Sequence, residues 1–373
     1  MSTALPNGSA IPGEQLADRL ADGETMTVLD LREDADWGIE APGLTSLRMQ
    51  PTAVLADPGA VARDLSGPVA VLCNRGLTAQ PVAEALRKAG VDALVVGEGI
   101  RGWIAALQSR VVDLGVDGLV VRQIQRPGRG CLSYLLAAGG QALVIDPAPD
   151  AGFYLSLAQE LDSHITDVFD THIHADHLSG ARMLSEQTGA TLLLPALALE
   201  RGVAYAAEVE PISNGDTIML GPIALRAIAL PGHTTDMTGL LLADRALIAG
   251  DSLFVDGIAR PDLQQSDPEG ARAMARVLHE TLHDRILALG ENVVLLPGHT
   301  HPGVLANAVT ATLAAVRAAV PELAIEDPGE FAERLLSEMP PRPANYESII
   351  AVNAGVHPLD PELETGGNSC SAR

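Results

Sequence analysis

Between residues 170 and 180 the sequence reads Asp-Thr-His-Ile-His-Ala-Asp-His-Leu-Ser-Gly, which places His172, His174, Asp176 and His177 within six positions. Neutral imidazoles and carboxylates are the donors that hold zinc or non-haem iron, but a metal needs them to converge from several segments. Later segments supply more. Leu-Pro-Gly-His puts His233 after one apolar run, Ile-Ala-Gly-Asp puts Asp251 after another, and Leu-Leu-Pro-Gly-His-Thr-His puts His299 and His301 after a third. Six of the ten histidines therefore stand where an apolar run ends, so side chains from separate strands can meet at one sheet edge. One such histidine alone reads as a hydrogen-bonded loop residue. Four segments in this order read as a metal site.

Two other stretches carry chemical potential. His279, Glu280 and His283 form His-Glu-x-x-His, by which one helix presents two zinc ligands and a base. Met274, Val277, Leu278, Leu282 and Ile286 set the apolar stripe of that helix, which is expected to turn these three residues to the flank and to solvent. Cys73 ends the run Val-Ala-Val-Leu-Cys, and a Gly-containing loop follows, with Pro81 suited to the first turn of the next helix. Loop N–H groups, the helix N-terminus and Arg75 are expected to favour the thiolate there. Cys131 begins a core strand and is assigned no chemistry, and Cys370 near the end is taken as incidental. Three scattered cysteines exclude a disulfide framework and a cysteine-rich zinc site.

The elements that must position these residues follow from periodicity. Strand-like runs at 26–31, 69–73 and 92–97, with helical patterns at 78–90 and from residue 99, predict a small parallel α/β unit ending near residue 110. From about 119, three closely spaced strands predict a meander that turns at Gly139 and Gly140. Helix, strand, histidine turn and helix come next. The second half repeats the mixture, with helices expected over 268–289 and 304–320, so two sheets between helices are predicted.

The ordered set H-x-H-x-D-H at 172–177, P-G-H at 231–233, G-D at 250–251 and G-H at 298–299 resembles the signature of the metallo-β-lactamase fold, over roughly 119–357. That resemblance implies an αββα domain. In members with two zincs, His172, His174 and His233 would hold one metal and Asp176, His177 and His299 the other, with Asp251 bridging. In the persulfide dioxygenase branch, one Fe(II) would be held by His172, His233 and Asp251, which leaves three positions open. Ala175 and Ser179 in the histidine turn, and the stretches at 250–263 and 340–353, are more similar to this second branch. Arg260, nine residues after Asp251, stands where the family has a supporting arginine, and His301 stands where some members carry an aromatic hydroxyl near the thiol substrate. His174, Asp176, His177 and His299 would then orient ligands and waters.

The stretch at 28–37, the Cys73 loop and Val-Val-Gly-Glu-Gly-Ile-Arg-Gly-Trp at 95–103 resemble a rhodanese domain, with Cys73 as the persulfide carrier. Ile-Glu-Ala-Pro-Gly at 39–43 departs from the usual histidine-containing segment, and Thr78 stands where many sulfurtransferases have a loop arginine. The implied architecture is a rhodanese-like α/β domain over 10–110, a metallo-β-lactamase-fold domain over 119–357, and a flexible tail over 358–373. The implied activity is oxidation of a small thiol persulfide by O2 to sulfite and thiol, coupled to sulfur transfer. A dinuclear zinc thioester hydrolase of the glyoxalase II type is the alternative. A homodimer or homotetramer is the expected assembly.

Size and charge agree with this reading. The chain has 373 residues, enough for two domains, and a net charge of -24 from 48 acidic and 24 basic residues, of which only Lys88 is lysine. Such a surface repels phosphate backbones and anionic lipid, which argues against nucleic-acid and membrane partners. It suits a high-salt cytosol, although the Arg and Ala bias also fits a GC-rich genome. No stretch approaches a transmembrane length, and the first residues lack the basic and apolar regions of a secretory signal, so a cytoplasmic protein is expected.

Overall fold

The computed structural model describes residues 10–33, 39–265, 267–303, 307–337, 339–343 and 345–365. The chain opens with five parallel strands, β1 Ala10–Ile11, β2 Met26–Asp30, β3 Leu44–Arg48, β4 Val69–Leu72 and β5 Ala93–Val96, in the order β1-β5-β4-β2-β3. Helices α1 Gly13–Ala21, α2 Pro51–Ala56, α3 Pro58–Asp64, α4 Ala79–Lys88 and α5 Ile100–Ala105 accompany them. Strands β2 and β4 are buried along their whole length, as unbroken apolar runs in a parallel sheet require. The strand order reverses between β2 and β4, and α/β sheets form crevices at the carboxyl ends of strands at such a point. Cys73 lies there, at the end of β4.

The next strand, β6 Gln108–Val112, spans the boundary expected near residue 110 and pairs antiparallel with β7 Val120–Arg126. It therefore belongs to a second sheet, completed by β8 Cys131–Ala138, β9 Gln141–Ile145, β10 His164–Phe169, β11 Thr191–Pro195 and β12 Val209–Ile212 in the order β12-β11-β10-β9-β8-β7-β6. Gly139 and Gly140, with φ of 59° and 79°, make the tight β8–β9 turn that the sequence predicts. Helices α6 Ala151–Glu160, α7 Ala181–Thr188 and α8 Ala196–Glu200 connect its parallel part. A third sheet has the order β13-β14-β15-β16-β17-β18, from β13 Thr217–Leu220, β14 Ile223–Ala229, β15 Thr238–Leu242, β16 Ala246–Gly250, β17 Val294–Pro297 and β18 Ala311–Thr312.

These two sheets pack face to face through Tyr134, Leu136, Ile145 and Phe169 from one and Leu225, Leu240, Ile248 and Leu296 from the other. The outer face of the second sheet is covered by α6 and α7, through Tyr154, Leu157 and Leu184. Helices α9 Pro268–Glu280, α10 Leu313–Ala319 and α11 Pro328–Ser337 cover the outer face of the third, through Leu278, Val316 and Phe331. The result is an αββα sandwich, closed by α12 Tyr346–Asn353. No helix among the described residues is long and apolar enough to cross a membrane.

Three expectations about elements change. The helix expected over 304–320 begins only at Leu313, because Ala311–Thr312 pairs with β17 and the Thr312 side chain caps the helix by accepting from Ala315 N; residues 304–306 lie outside the described residues. The tail expected from residue 358 is packed as far as 364: residues Pro361–Glu364 form a 3-10 turn, and Glu364 is buried. Cys370 and its neighbours lie outside the described residues. Finally, His279 points inward. Its Nε2 donates to Ile325 O at 2.8 Å and its ring packs on Phe331 and stacks on His283, because α11 crosses that flank of α9. Glu280 is exposed, as expected, and no metal-ligand group among the described residues includes either histidine.

Candidate metal centre

The histidine turn follows β10 directly, and its backbone is held at several points. Asn353, at the end of α12, donates from Nδ2 to His174 O at 2.9 Å and His177 O at 2.8 Å, while its Oδ1 accepts from Ser179 N at 2.9 Å. Asp236 accepts from Ile173 N at 2.9 Å and from Arg201 Nη1 at 2.5 Å. Arg129, in the β7–β8 turn, reaches Asp176 O and Glu364 O. Glu364 makes a two-pronged ion pair with Arg126, both contacts at 2.7 Å, and accepts from Leu178 N at 2.9 Å. A turn this rich in donors thus has its own amides and carbonyls satisfied from outside, which leaves the side chains to define the site.

His172, His233 and Asp251 converge. Their ligand atoms lie within 4.8 Å of one another, with Asp251 Oδ2 at 3.9 Å from His172 Nε2 and 3.7 Å from His233 Nε2. All three residues are buried, and these three atoms have no hydrogen-bond partner. Such orphaned atoms carry a large desolvation cost unless something binds between them. The tautomers agree. Arg260 O can only accept, so His233 Nδ1, 2.8 Å away, carries the proton and Nε2 keeps its lone pair. Thr171 Oγ1 donates to Asp146 Oδ2 at 2.9 Å and so accepts from His172 Nδ1 at 3.0 Å, with the same result. Burial first, and then the imidazoles of His174 and His233, hold His172 well below the usual histidine range. Two neutral imidazoles and a carboxylate fit a divalent metal.

The remaining motif residues form two further groups around this triad. His174 joins Asp146 and Asp170, with Nε2 at 3.2 Å from Asp146 Oδ1 and 3.8 Å from Asp170 Oδ1. Asp146 takes φ of 52°, a conformation that aspartate tolerates better than most residues, and this aims its carboxylate at Thr171 and His174. Asp176, His177 and His299 join Cys131. His299 Nδ1 donates to Asp251 Oδ1 at 2.7 Å, and His177 Nδ1 pairs with Asp176 Oδ1 at 2.9 Å. Burial opposes a proton on His299, but the Asp251 and Asp176 carboxylates outweigh it and raise the group well above the usual range. Burial alone would raise the Cys131 thiol too, yet the His177 and His299 imidazoles bring it down to about 6.

Glycines let these segments meet. A Cβ on Gly298, just before His299, would stand 2.4 Å from Asp251 Oδ1. Gly250, just before Asp251, takes φ of 50° and would bring a Cβ to 2.8 Å from Thr171 Oγ1.

Other predicted residues fall elsewhere. The Arg260 side chain is fully buried and bonded to Asp262 and to the carbonyls of Pro340 and Pro341, while its own carbonyl accepts from His233 Nδ1. His301 is exposed and pairs with Asp256 at 3.0 Å, outside all three groups. Cys73 is buried at the end of β4, where its carbonyl accepts from Ile100 N at 2.9 Å. Arg75 beside it is exposed and reaches Glu362 at 3.5 Å. The sequence reading missed Thr171, Asp146, Asp236, Asn353, Arg129, Glu364 and Cys131. Thr171 sits inside the quoted histidine turn and Asn353 closes the stretch at 340–353, so both were within reach. Arg129 and Glu364 carry no local signal.

An αββα sandwich with metal donors at one sheet edge defines a class, and comparison with known proteins agrees. Residues 126–299 match the metallo-beta-lactamase superfamily model. The mitochondrial persulfide dioxygenase ETHE1 of Bos taurus is 30% identical over 196 residues, 51% of this chain and 72% of that protein. The chain therefore belongs to the metallo-β-lactamase superfamily. The hydroxyacylglutathione hydrolase of a Methylobacterium species is 34% identical over 172 residues, 46% of this chain and 61% of that enzyme. The crystal structure of ETHE1 from Myxococcus xanthus superposes with a TM-score of 0.55 at 30% identity, over 64% of this chain and 99% of that one.

Proposed function

We propose that this protein is a persulfide dioxygenase that oxidises the terminal sulfur of a small thiol persulfide with O2, water supplying the third oxygen, to give sulfite, the thiol and two protons. His172, His233 and Asp251 would hold one ferrous iron. The observation that carries this reading is the grouping of donors. Three orphaned atoms face one another at the triad, whereas His174, which a two-zinc hydrolase needs as a third donor to its first metal, is grouped with Asp146 and Asp170 instead. Iron in a two-histidine, one-carboxylate site supplies open positions for O2 and for a sulfur ligand.

The chain's own residues do the positioning. Thr171 Oγ1 and Arg260 O keep the protons of His172 and His233 on Nδ1, so both Nε2 lone pairs face inward. His299 holds Asp251 by Oδ1 and leaves Oδ2 toward the two imidazoles. Burial of all three side chains keeps bulk water away from them. The rhodanese-like reading of the first sheet adds a sulfur carrier: Cys73, at the carboxyl end of β4, would receive or pass the sulfane sulfur as a persulfide on Sγ.

Metal analysis of anaerobically purified protein, paired with an oxygen electrode, tests the reading. One iron per chain and persulfide-dependent O2 uptake with sulfite formation are expected; two zincs with thioester hydrolysis and no uptake would overturn it. Cys73→Ser is expected to spare O2 uptake and end thiosulfate exchange.

A further inference from the structure

Strand β4 of the first sheet ends on Cys73, and the 3-10 turn Pro361–Glu364 reaches the loop after it from the other end of the chain. Gly99 draws the two sides of that loop together. It takes φ of 62°, and a Cβ there would lie 2.0 Å from Cys73 O and 2.8 Å from Arg75 N. Ile100 N then donates to Cys73 O at 2.9 Å, so the backbone of Arg101, one residue on, is fixed beside the loop that carries Arg75. The two guanidinium groups meet at one oxygen. Glu362 Oε1 lies 3.5 Å from Arg75 Nη2 and also contacts Arg101 Nη2.

Backbone anchors hold Glu362 over the two arginines. Asp360 Oδ1 accepts from Glu362 N at 3.1 Å, and Thr365 Oγ1 donates to Glu362 O at 2.8 Å. On the same turn, Asn345 Nδ2 donates to Leu363 O, and Glu364 is buried in its two-pronged pair with Arg126. The ion pairs of Glu362 are different in kind, because its side chain is 47% exposed and that of Arg75 is 65% exposed. Exposed pairs contribute little, so a dissolved anion can take the carboxylate's place. Tethering is what favours Glu362, since it presents the carboxylate at a high effective concentration.

We infer that Arg75 and Arg101 form a binding site for a sulfur oxyanion beside the Cys73 loop, and that Glu362 is its built-in competitor. Forked N–H donors match the oxygens of such an anion as they match a carboxylate, and Glu362 stands in for it in the resting chain. On a chain of net charge -24 the overall field repels a dianion, so two guanidinium groups at one spot supply the local attraction. Exchange makes and breaks no covalent bond: the carboxylate swings out and the oxyanion takes its donors, while Glu364 stays in place. The short turn that braces the metal-binding segment through Glu364 thus guards the first sheet's cysteine through Glu362. The choice of a sulfur oxyanion rests on the proposed role of Cys73 as sulfur carrier; the anion site rests on the arginines alone.

Calorimetric titration of the full chain tests this, with thiosulfate and the unreactive sulfate as probes in a Cys73→Ser background. Adding Glu362→Gln is expected to tighten both anions ~3–10-fold, and adding Arg101→Gln to that variant to loosen them by at least as much. Equal affinity with and without Glu362, or binding that survives Arg101→Gln unchanged, would overturn the inference. Chains that keep Cys73 give a second readout. The Cys73 thiolate takes the outer sulfur of thiosulfate, the S–S bond to the sulfite group breaks, and sulfite leaves with the electron pair, so no outside oxidant or reductant is needed. Mass measurement is expected to find one added sulfur at a lower thiosulfate concentration in Glu362→Gln than in the wild type. Sulfur added at the same concentration in both would remove Glu362 as competitor. Anion binding that responds to Glu362 with no sulfur added would uphold the site and remove the sulfur-carrier reading.

Discussion

At the scale of the residue, the centre depends on which nitrogen of each imidazole carries a proton. Thr171 holds that choice for His172, and the Arg260 carbonyl holds it for His233. Thr171→Val removes the acceptor for His172 Nδ1 and one donor to Asp146 while keeping the side-chain shape. Metal affinity is expected to fall ~10–100-fold, as when outer partners of metal ligands are lost, which anaerobic titration with Fe(II) against a competing chelator would measure. On the proposed function, Asp251→Ala is expected to abolish both iron binding and O2 uptake, because it removes the one carboxylate of the triad; uptake that persists would contradict the ligand set. The donors that converge at the triad were conspicuous in the sequence, since histidine and aspartate stand at four strand exits. Their partners were not: a carbonyl such as that of Arg260 exists in every residue, and only folding decides which one faces His233.

At the scale of the element, the turn at 170–180 works because other elements satisfy its backbone. Asn353 closes α12 and carries three of those bonds from a buried position. Asn353→Ala would leave buried backbone groups unpaired, which is expected to cost about 2–3 kcal/mol and to weaken metal binding; denaturant unfolding with and without iron separates the two effects. Gly298→Ala tests the close approach of two strand exits. A Cβ 2.4 Å from Asp251 Oδ1 cannot be accommodated in place, so Asp251 must move and metal loading should drop more than global stability does. Most strands and helices followed their periodicity, including the β8–β9 turn, but the helix expected over 304–320 starts only at Leu313, behind a short strand. His279 did not follow its helix, because a flank that looks exposed on one helix becomes interior once α11 lies across it.

At the scale of the molecule, the segment expected to be a tail ties distant parts together. Glu362 pairs with Arg101 of α5 and with Arg75 next to Cys73, while Glu364 pairs with Arg126 and holds the amide after His177. The first sheet and the metal-binding turn therefore share one short anchor. Burial opposes the charge on Glu364, but Arg126 and Arg129 bring its pKa down from 4.5 to about 2. A carboxylate lowered in the folded state adds stability above its unfolded pKa and loses it as pH falls through the folded value. Glu364→Gln is thus expected to cost about 3 kcal/mol near neutral pH, and the gap from wild type should narrow between about pH 4.5 and 2. Unfolding curves across that range check it, and a gap that does not change with pH would remove the charge from the explanation.

Two kinds of information are separated by this protein. Local chemistry was written along the chain: the candidate metal donors, the glycines before several of them, the alternation that makes two sheets between helices, and the ending of several strands on those donors. Those depend on neighbours a few positions away, which a linear reading can see. Tertiary structure alone decided that Cys131 joins Asp176, His177 and His299, that Arg260 serves through its carbonyl, that His301 stays outside, and that Glu364 braces a turn 186 residues earlier. The reason is that burial and partnership belong to pairs of segments, and one isolated cysteine or glutamate has no periodic signal to announce which distant surface will cover it.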